Sequence, residues 1–245
     1  MSKLRVLDLF SGIGGFSLGL ERTGGFETVA FCEIDPFCQK VLAKHWPEVS
    51  VYDDIATLEY RGAVDLVTAG FPCQDISQAG KRAGLAGERS GLFWHVIRTV
   101  CMVGRPKLLL ENVADLLDRG MGAVLGALAQ VGYDTQWNCF PASAVGAPHS
   151  RDRVWIVADP SEAGQQGRHL DWDAISCVDT TEVARLGNAR AICGPEWAGS
   201  FQDVRMGNGL PLGLVRSIVG ACGNSVIPQI PEMIGNAILE AEKSA

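Results

Sequence analysis

Residues 5–20 read RVLDLFSGIGGFSLGL, and the way this stretch divides decides the fold. RVLDLF (5–10) has the apolar continuity of a buried strand, and SGIGG interrupts it. The apolar residues that follow take up helical spacing near 14–22. A strand that passes through a glycine turn into a helix opens a βαβ chain. Glycines 12, 14 and 15 permit the turn and a close backbone approach to a ligand, or simply tight packing. The spacing is G-x-G-G, which is not the dinucleotide-binding fingerprint.

The same alternation continues outward. ETVAFCE (27–33) reads as a second strand, followed by a helix through DPFCQKVLAKHW with Asp35 as N-cap and Pro36 at its first position. VDLVTAG (64–70) and PKLLLENV (106–113) are further strands, and between them apolar residues 92, 93, 96, 97, 100 and 103 keep helical spacing. MGAVLGALAQ is helical, and YDTQWNCF and RVWIVAD are strands. This order predicts an α/β fold with a doubly wound, mostly parallel sheet, whose ligands bind at the carboxyl ends of the strands. After Asp159 the periodicity lapses through residues 159–208, and a last helix begins near Pro228 or Pro231.

Composition agrees with a packed domain: 47% of the 245 residues are hydrophobic and 20% charged. None of the eight cysteines pairs in a C-x-x-C spacing and only four histidines are present, so reduced thiols and no metal site are expected. No signal-like or membrane-length apolar run appears, which points to the cytoplasm. The net charge of −7 excludes a protein that coats nucleic acid by bulk electrostatics, but not one with a local basic cleft. Residues 1–158 carry 15 basic and 17 acidic groups; residues 159–245 carry 6 and 11, so the C-terminal part is the more acidic.

Chemistry-bearing residues gather at predicted strand ends. Glu33 closes the second strand, where a carboxylate accepts hydrogen bonds from ribose hydroxyls or favours the dipole of the next helix. Asp54 follows a short run and either accepts an adenine amino hydrogen or sits in a surface turn. Cys73, in GFPCQDIS (70–77), follows a strand and a stiffening Pro72. It is a buried, inert thiol or a nucleophile, and Arg151 and Arg153 of the RDR segment are cations able to lower its pKa. Glu111 leaves a fully apolar strand in LLLEN, a placement that raises a carboxyl pKa and suits proton donation, unless a loop or arginine simply satisfies it. A cysteine and a glutamate on neighbouring strand ends are what Michael-type addition to a ring requires.

Together these residues resemble the DNA (cytosine-5)-methyltransferase family. DLFSGIGGFSLGL, CEID (32–35), DDI (53–55), GFPCQDIS, GLFWHVIR, ENV (111–113), GAPHSRDRVWIVA and CGNSVIPQIPEMIGNAI resemble its motifs in their order, over residues 4–158 and 205–240. The resemblance implies S-adenosylmethionine as methyl donor and no metal. Phe10, Gly12 and Gly14 line its pocket, Glu33 meets the ribose, and Ile34, Asp54 and Ile55 meet the adenine. Leu92 packs nearby, and Asn224 and Ser225 close the pocket. It further implies duplex DNA as substrate, with Cys73 adding to carbon 6 of a flipped cytosine, Glu111 holding the ring, and Arg151 and Arg153 stabilising it. Gln74, Lys81, Arg82 and Arg89 then belong to a DNA-facing loop. The implied division is 1–158 for catalysis and cofactor, 159–208 for a reduced target-recognition region, and 209–245 returning to the catalytic domain. A monomer is expected, working in the cell beside a cognate restriction endonuclease.

Two departures bear on this reading. His149 stands where the family has a glutamine, and the recognition region is short and acidic. Arg168, Arg185, Arg190 and Arg205 are its basic groups, and Trp172 and Trp197 fit a small core better than a DNA wedge. The alternatives are transfer RNA cytosine methylation, which CQDIS does not favour, a catalytically weak binding protein, and an NAD-dependent oxidoreductase.

Overall fold

The computed structural model describes residues 2–72, 91–146, 151–161, 170, 172, 175, 217 and 220–243. Seven strands form one sheet: β1 (Leu4–Leu9), β2 (Phe26–Cys32), β3 (Ser50–Tyr52), β4 (Leu66–Gly70), β5 (Lys107–Val113), β6 (Tyr133–Pro141) and β7 (Asp152–Pro160). Their order is β3-β2-β1-β4-β5-β7-β6. From β3 to β5 all neighbours are parallel, and β7 runs antiparallel to both β5 and β6. Winding reverses between β1 and β4, the switch point at which such sheets open a crevice.

The reversed β7 was not foreseen in the sequence pattern. Its cause is the connection: residues 142–151 are too few for the crossover that a parallel neighbour needs. The connection begins with a 3-10 turn at Ala142–Val145.

Helices cover both faces. α1 (Gly15–Arg22) and α6 (Gln229–Lys243) lie on one, and α3 (Leu92–Met102) and α5 (Met121–Gln130) on the other; α2 (Pro36–His45) follows β2 and the short α4 (Leu116–Arg119) follows β5. Consecutive strand residues face opposite sides: Leu108 and Leu110 pack with Phe93, Val96 and Leu128, whereas Leu109 packs with Phe16, Trp155 and Ile234. Each fully buried leucine stabilises the fold by about 1.5–3 kcal/mol. The surface ion pair Arg5–Asp65, 2.7 Å long and with both side chains partly exposed, is screened by water and contributes little beside them. The apolar layers therefore dominate.

The helix boundaries follow local chemistry. Asp35 caps α2 by accepting from the Phe37 and Cys38 amides at 2.7 and 3.4 Å, with Pro36 at the first position as expected. α1 begins after Gly14 in the left-handed region (φ 87°), where a Cβ would lie 2.7 Å from the Trp46 ring. α6 starts at Gln229 and packs on α1 so closely that a Cβ on Gly15 or Gly19 would strike the carbonyls of Val226 or Pro228. At the amino end of β5, Lys107 pairs with Asp159 of β7 and, at 3.5 Å, with Glu242 of α6.

Candidate active site

A cleft of about 740 Å3 opens across the carboxyl ends of β1, β2, β4 and β5. Its first wall comes from the β1 and β2 ends. Phe10 has a left-handed backbone (φ 52°), which costs a non-glycine residue of order 1–3 kcal/mol. The Ser11 amide holds the turn by donating to the Cys32 carbonyl at 3.2 Å, and the Ser11 hydroxyl donates to the Asp8 carbonyl at 2.6 Å. Glu33 braces the same loop. One carboxylate oxygen accepts from the Gly12 amide at 2.7 Å and the other from the Asp35 amide at 2.8 Å, and each retains a further lone pair for a ligand.

Ile34 stands beside it with 71% of its surface exposed, an unusual state for an isoleucine. Asp54, Ile55 and Leu92 extend the wall. Arg98 of α3 holds this side in place, donating to the Ile55 and Leu58 carbonyls at 2.6 and 3.2 Å. Apolar side chains interleaved with carboxylate acceptors fit a nucleoside-bearing ligand: the former stack a ring, the latter take hydroxyl and amino hydrogens.

The opposite wall is built from β5 and β7. Arg153 stands in register with Val113, on the face that also carries Glu111, and its Nε meets Glu111 Oε1 at 2.7 Å. Both side chains are largely buried, 19% and 13% exposed. Burial pushes the Glu111 carboxyl above its ordinary range, while Arg153 and then Arg151 pull it back. Asn112 donates to the Phe71 carbonyl at 2.9 Å, locking the end of β5 to the residue that follows β4. Gly70 leaves the space in front of the pair open; a Cβ there would sit 3.3 Å from Glu111 Oε2.

Arg151 points elsewhere. It donates to the Gly223 carbonyl and, at 3.5 Å, to that of Ser225, clamping the segment that carries Asn224 into the cleft. Burial, then the charge of Arg153, lowers its proton affinity.

The structure thus brings eleven of the expected residues to one cleft: Phe10, Gly12, Glu33, Ile34, Asp54, Ile55, Leu92, Glu111, Arg151, Arg153 and Asn224. Gly14 and Ser225 stand apart from its lining, the one packed under Trp46 and the other holding Arg151 through its carbonyl. Pro72 lines the cleft. Cys73, Gln74, Lys81, Arg82, Arg89, His149, Arg168, Arg185, Arg190, Trp197 and Arg205 lie outside the described residues. Trp172 stacks at 5.9 Å from Phe140 of β6 and so joins the main core. Sequence reasoning gave no role to Gly70, Arg98 or the interlock through Asn112, although all three lie inside quoted motifs, GFPCQDIS, GLFWHVIR and ENV. Cys32 and Cys38 also line the cleft, but burial, with Glu33 next, pushes each thiol up to about 12, so neither is a nucleophile. Among the described residues no cluster of three metal-ligating side chains occurs and no helix is long and apolar enough to cross a membrane.

The model of the C-5 cytosine-specific DNA methylase family matches residues 4–177, a span that holds both walls of the cleft except Ser217, Gly220, Ala221 and Asn224. The chain belongs to this family. Among curated family members, the type II methyltransferase M2.BsuMI of Bacillus subtilis is 41% identical over 63% of this chain and 42% of its own length. M.CviJI of Paramecium bursaria Chlorella virus IL3A is 35% identical over 69% and 48%. The methylase chain described here therefore spans less than half the length of these relatives. A putative DNA modification methyltransferase of an Escherichia coli prophage superposes with a TM-score of 0.51 at 26% identity, over 64% of this chain and 47% of that one. The Dnmt2 methyltransferase of S. pombe gives 0.63 over 97% and 99%, at 16% identity, a likeness of fold.

Proposed function

We propose that this methylase transfers a methyl group from S-adenosylmethionine to carbon 5 of cytosine in duplex DNA. The observation that carries the reading is the buried Glu111–Arg153 pair facing a nucleoside-type wall across one cleft, with Pro72, the residue before Cys73, on its rim. When bound, S-adenosylmethionine supplies an electrophilic methyl group on a sulfonium. Glu33 and Asp54 accept hydrogen bonds from its hydroxyl and amino groups, and Ile34, Ile55 and Phe10 pack on its ring.

Cytosine in a duplex is stacked, so it must be turned out of the helix at a cost of a few kcal/mol. The Cys73 thiolate then adds to carbon 6. Glu111, whose burial favours its protonated form, is suited to donate to ring nitrogen 3 as negative charge develops there. Arg153 fixes the orientation of that carboxyl and offers charge to the exocyclic oxygen on carbon 2. Addition makes carbon 5 nucleophilic toward the methyl group; loss of the carbon 5 proton to water then expels the thiolate, and ring nitrogen 3 returns its proton to Glu111. Gln74, Lys81, Arg82 and Arg89 contact DNA. We assign 159–208 to target recognition and 209–245 to the catalytic domain. We take the protein to act as a monomer in the cytoplasm, guarding sites against a cognate restriction endonuclease.

Tritiated methyl transfer to duplex DNA and to RNA tests the reading, with Cys73→Ala as control. Label is expected in DNA from wild type alone, and a 5-fluorocytosine duplex should be trapped covalently only when Cys73 is present. Equal labelling by Cys73→Ala rejects the nucleophile; labelling of RNA alone rejects the substrate.

A further inference from the structure

Asp8 has no part in this chemistry, yet it is fully buried at the hub of three elements. Its carboxylate accepts from Thr68 Oγ1 of β4 at 2.6 Å and from Ser17 Oγ of α1 at 2.8 Å. α1 lacks a capping side chain because Gly14, pressed against Trp46, can carry none. Asp8 supplies the missing acceptor from the neighbouring strand, where a helix N-terminus favours negative charge. In register it lies beside Phe31 and Thr68; one residue further, Leu9 lies beside Cys32 and Ala69, and Cys32 and Gly70 line the cleft. Asp8 thus sits just beneath the cleft floor.

We propose that Asp8 is a positioning residue whose ionisation is coupled to the charge of the cleft's ligand, favouring a cationic sulfonium cofactor over its neutral thioether product. This rests on the cofactor reading above. The groups acting on Asp8 are the hydroxyls of Ser17 and Thr68, the Ser17 amide and the carboxylate of Glu33; among the described residues none of these is a cation. Burial without a counter-ion raises its carboxyl to about 7 despite the two hydroxyls. A cation in the cleft above lowers that proton affinity, and by reciprocity the ionised carboxylate tightens the cation's binding. Above pH 7 the carboxylate is charged and the cofactor is held; below it the proton returns and the hold weakens. A neutral thioether gains little from either state.

The test is calorimetric affinity for S-adenosylmethionine and S-adenosylhomocysteine from pH 6 to 8.5, in wild type and Asp8→Asn, alongside carboxyl-carbon NMR of the ligand-free protein. The wild-type to variant affinity ratio, which cancels the ligands' own titrations, should rise about five- to tenfold for the sulfonium between pH 6 and 8. It should stay flat for the thioether, and the NMR midpoint should lie near 7. A parallel pH dependence in Asp8→Asn, or a midpoint in the ordinary carboxylate range, overturns the proposal. Should Asp8→Asn not fold, Thr68→Val removes one donor and must move the NMR midpoint upward; an unmoved midpoint overturns it equally. Wild type that binds neither ligand while the midpoint stays near 7 sinks the cofactor reading, and the ligand preference with it.

Discussion

Glu111 shows how one side chain is set by opposing terms. Desolvation raises its proton affinity, and Arg153 at 2.7 Å and the charge of Arg151 oppose this, with desolvation the larger. An acid whose proton affinity rises on folding stabilises the protein most below its unfolded pKa, and that contribution is lost as pH rises through the raised value. Glu111→Gln removes the titration but keeps the shape. Its stability should fall less steeply with rising pH than that of wild type, as thermal melts across the acidic to neutral range would record. Methyl transfer should drop by about 10²–10⁴-fold, because an amide cannot deliver the proton; single-turnover rates near wild type would reject the acid role.

Among the elements, the direction of β7 matters most to the site. Arg151 and Arg153 sit at the start of β7, and because the strand runs antiparallel, its start lies at the carboxyl end of β5, where Glu111 opens into the cleft. A parallel strand would carry both arginines to the far edge of the sheet. The second arrangement of this kind is the contact of α1 with the 224–228 segment. Gly15 approaches the Val226 carbonyl so closely that any side chain must displace it, and Asn224 is two residues away in the cleft. Gly15→Ala should cost about 1–3 kcal/mol of stability in denaturant unfolding. It should also weaken cofactor affinity in calorimetry more than it slows bound-state transfer, and unchanged affinity would show that the segment does not shape the pocket.

Over the whole molecule, charge is divided rather than balanced. The nucleoside-type wall carries Glu33, Asp35, Asp53 and Asp54, the opposite wall Arg151 and Arg153, within a chain of net charge −7. Such a protein attracts a phosphate backbone through local cations only. If Lys81, Arg82 and Arg89 each neutralise one phosphate, the logarithm of DNA affinity should fall with the logarithm of salt with a slope of about −3 from these three, and neutralising all three should remove that part. Filter binding or fluorescence anisotropy across a salt series reads it directly; an unchanged slope would place the DNA contacts elsewhere.

Much of this architecture was legible along the chain. The apolar runs of β1, β4 and β5, the helical spacing of α3 and the Asp35-Pro36 start of α2 are local patterns, and local patterns survive into the fold because burial and capping act on neighbours. The cleft residues Glu33, Asp54 and Glu111 were legible for the same reason, since a carboxylate ending an apolar strand has few places to go. The tertiary structure alone decided the placement of β7 between β5 and β6, the Arg151 clamp on residues 223–225, the Arg98 brace, the left-handed Phe10 and the burial of Asp8. Each depends on groups dozens of residues apart meeting at one point, and sequence periodicity records the face a residue takes, not the partner it meets there.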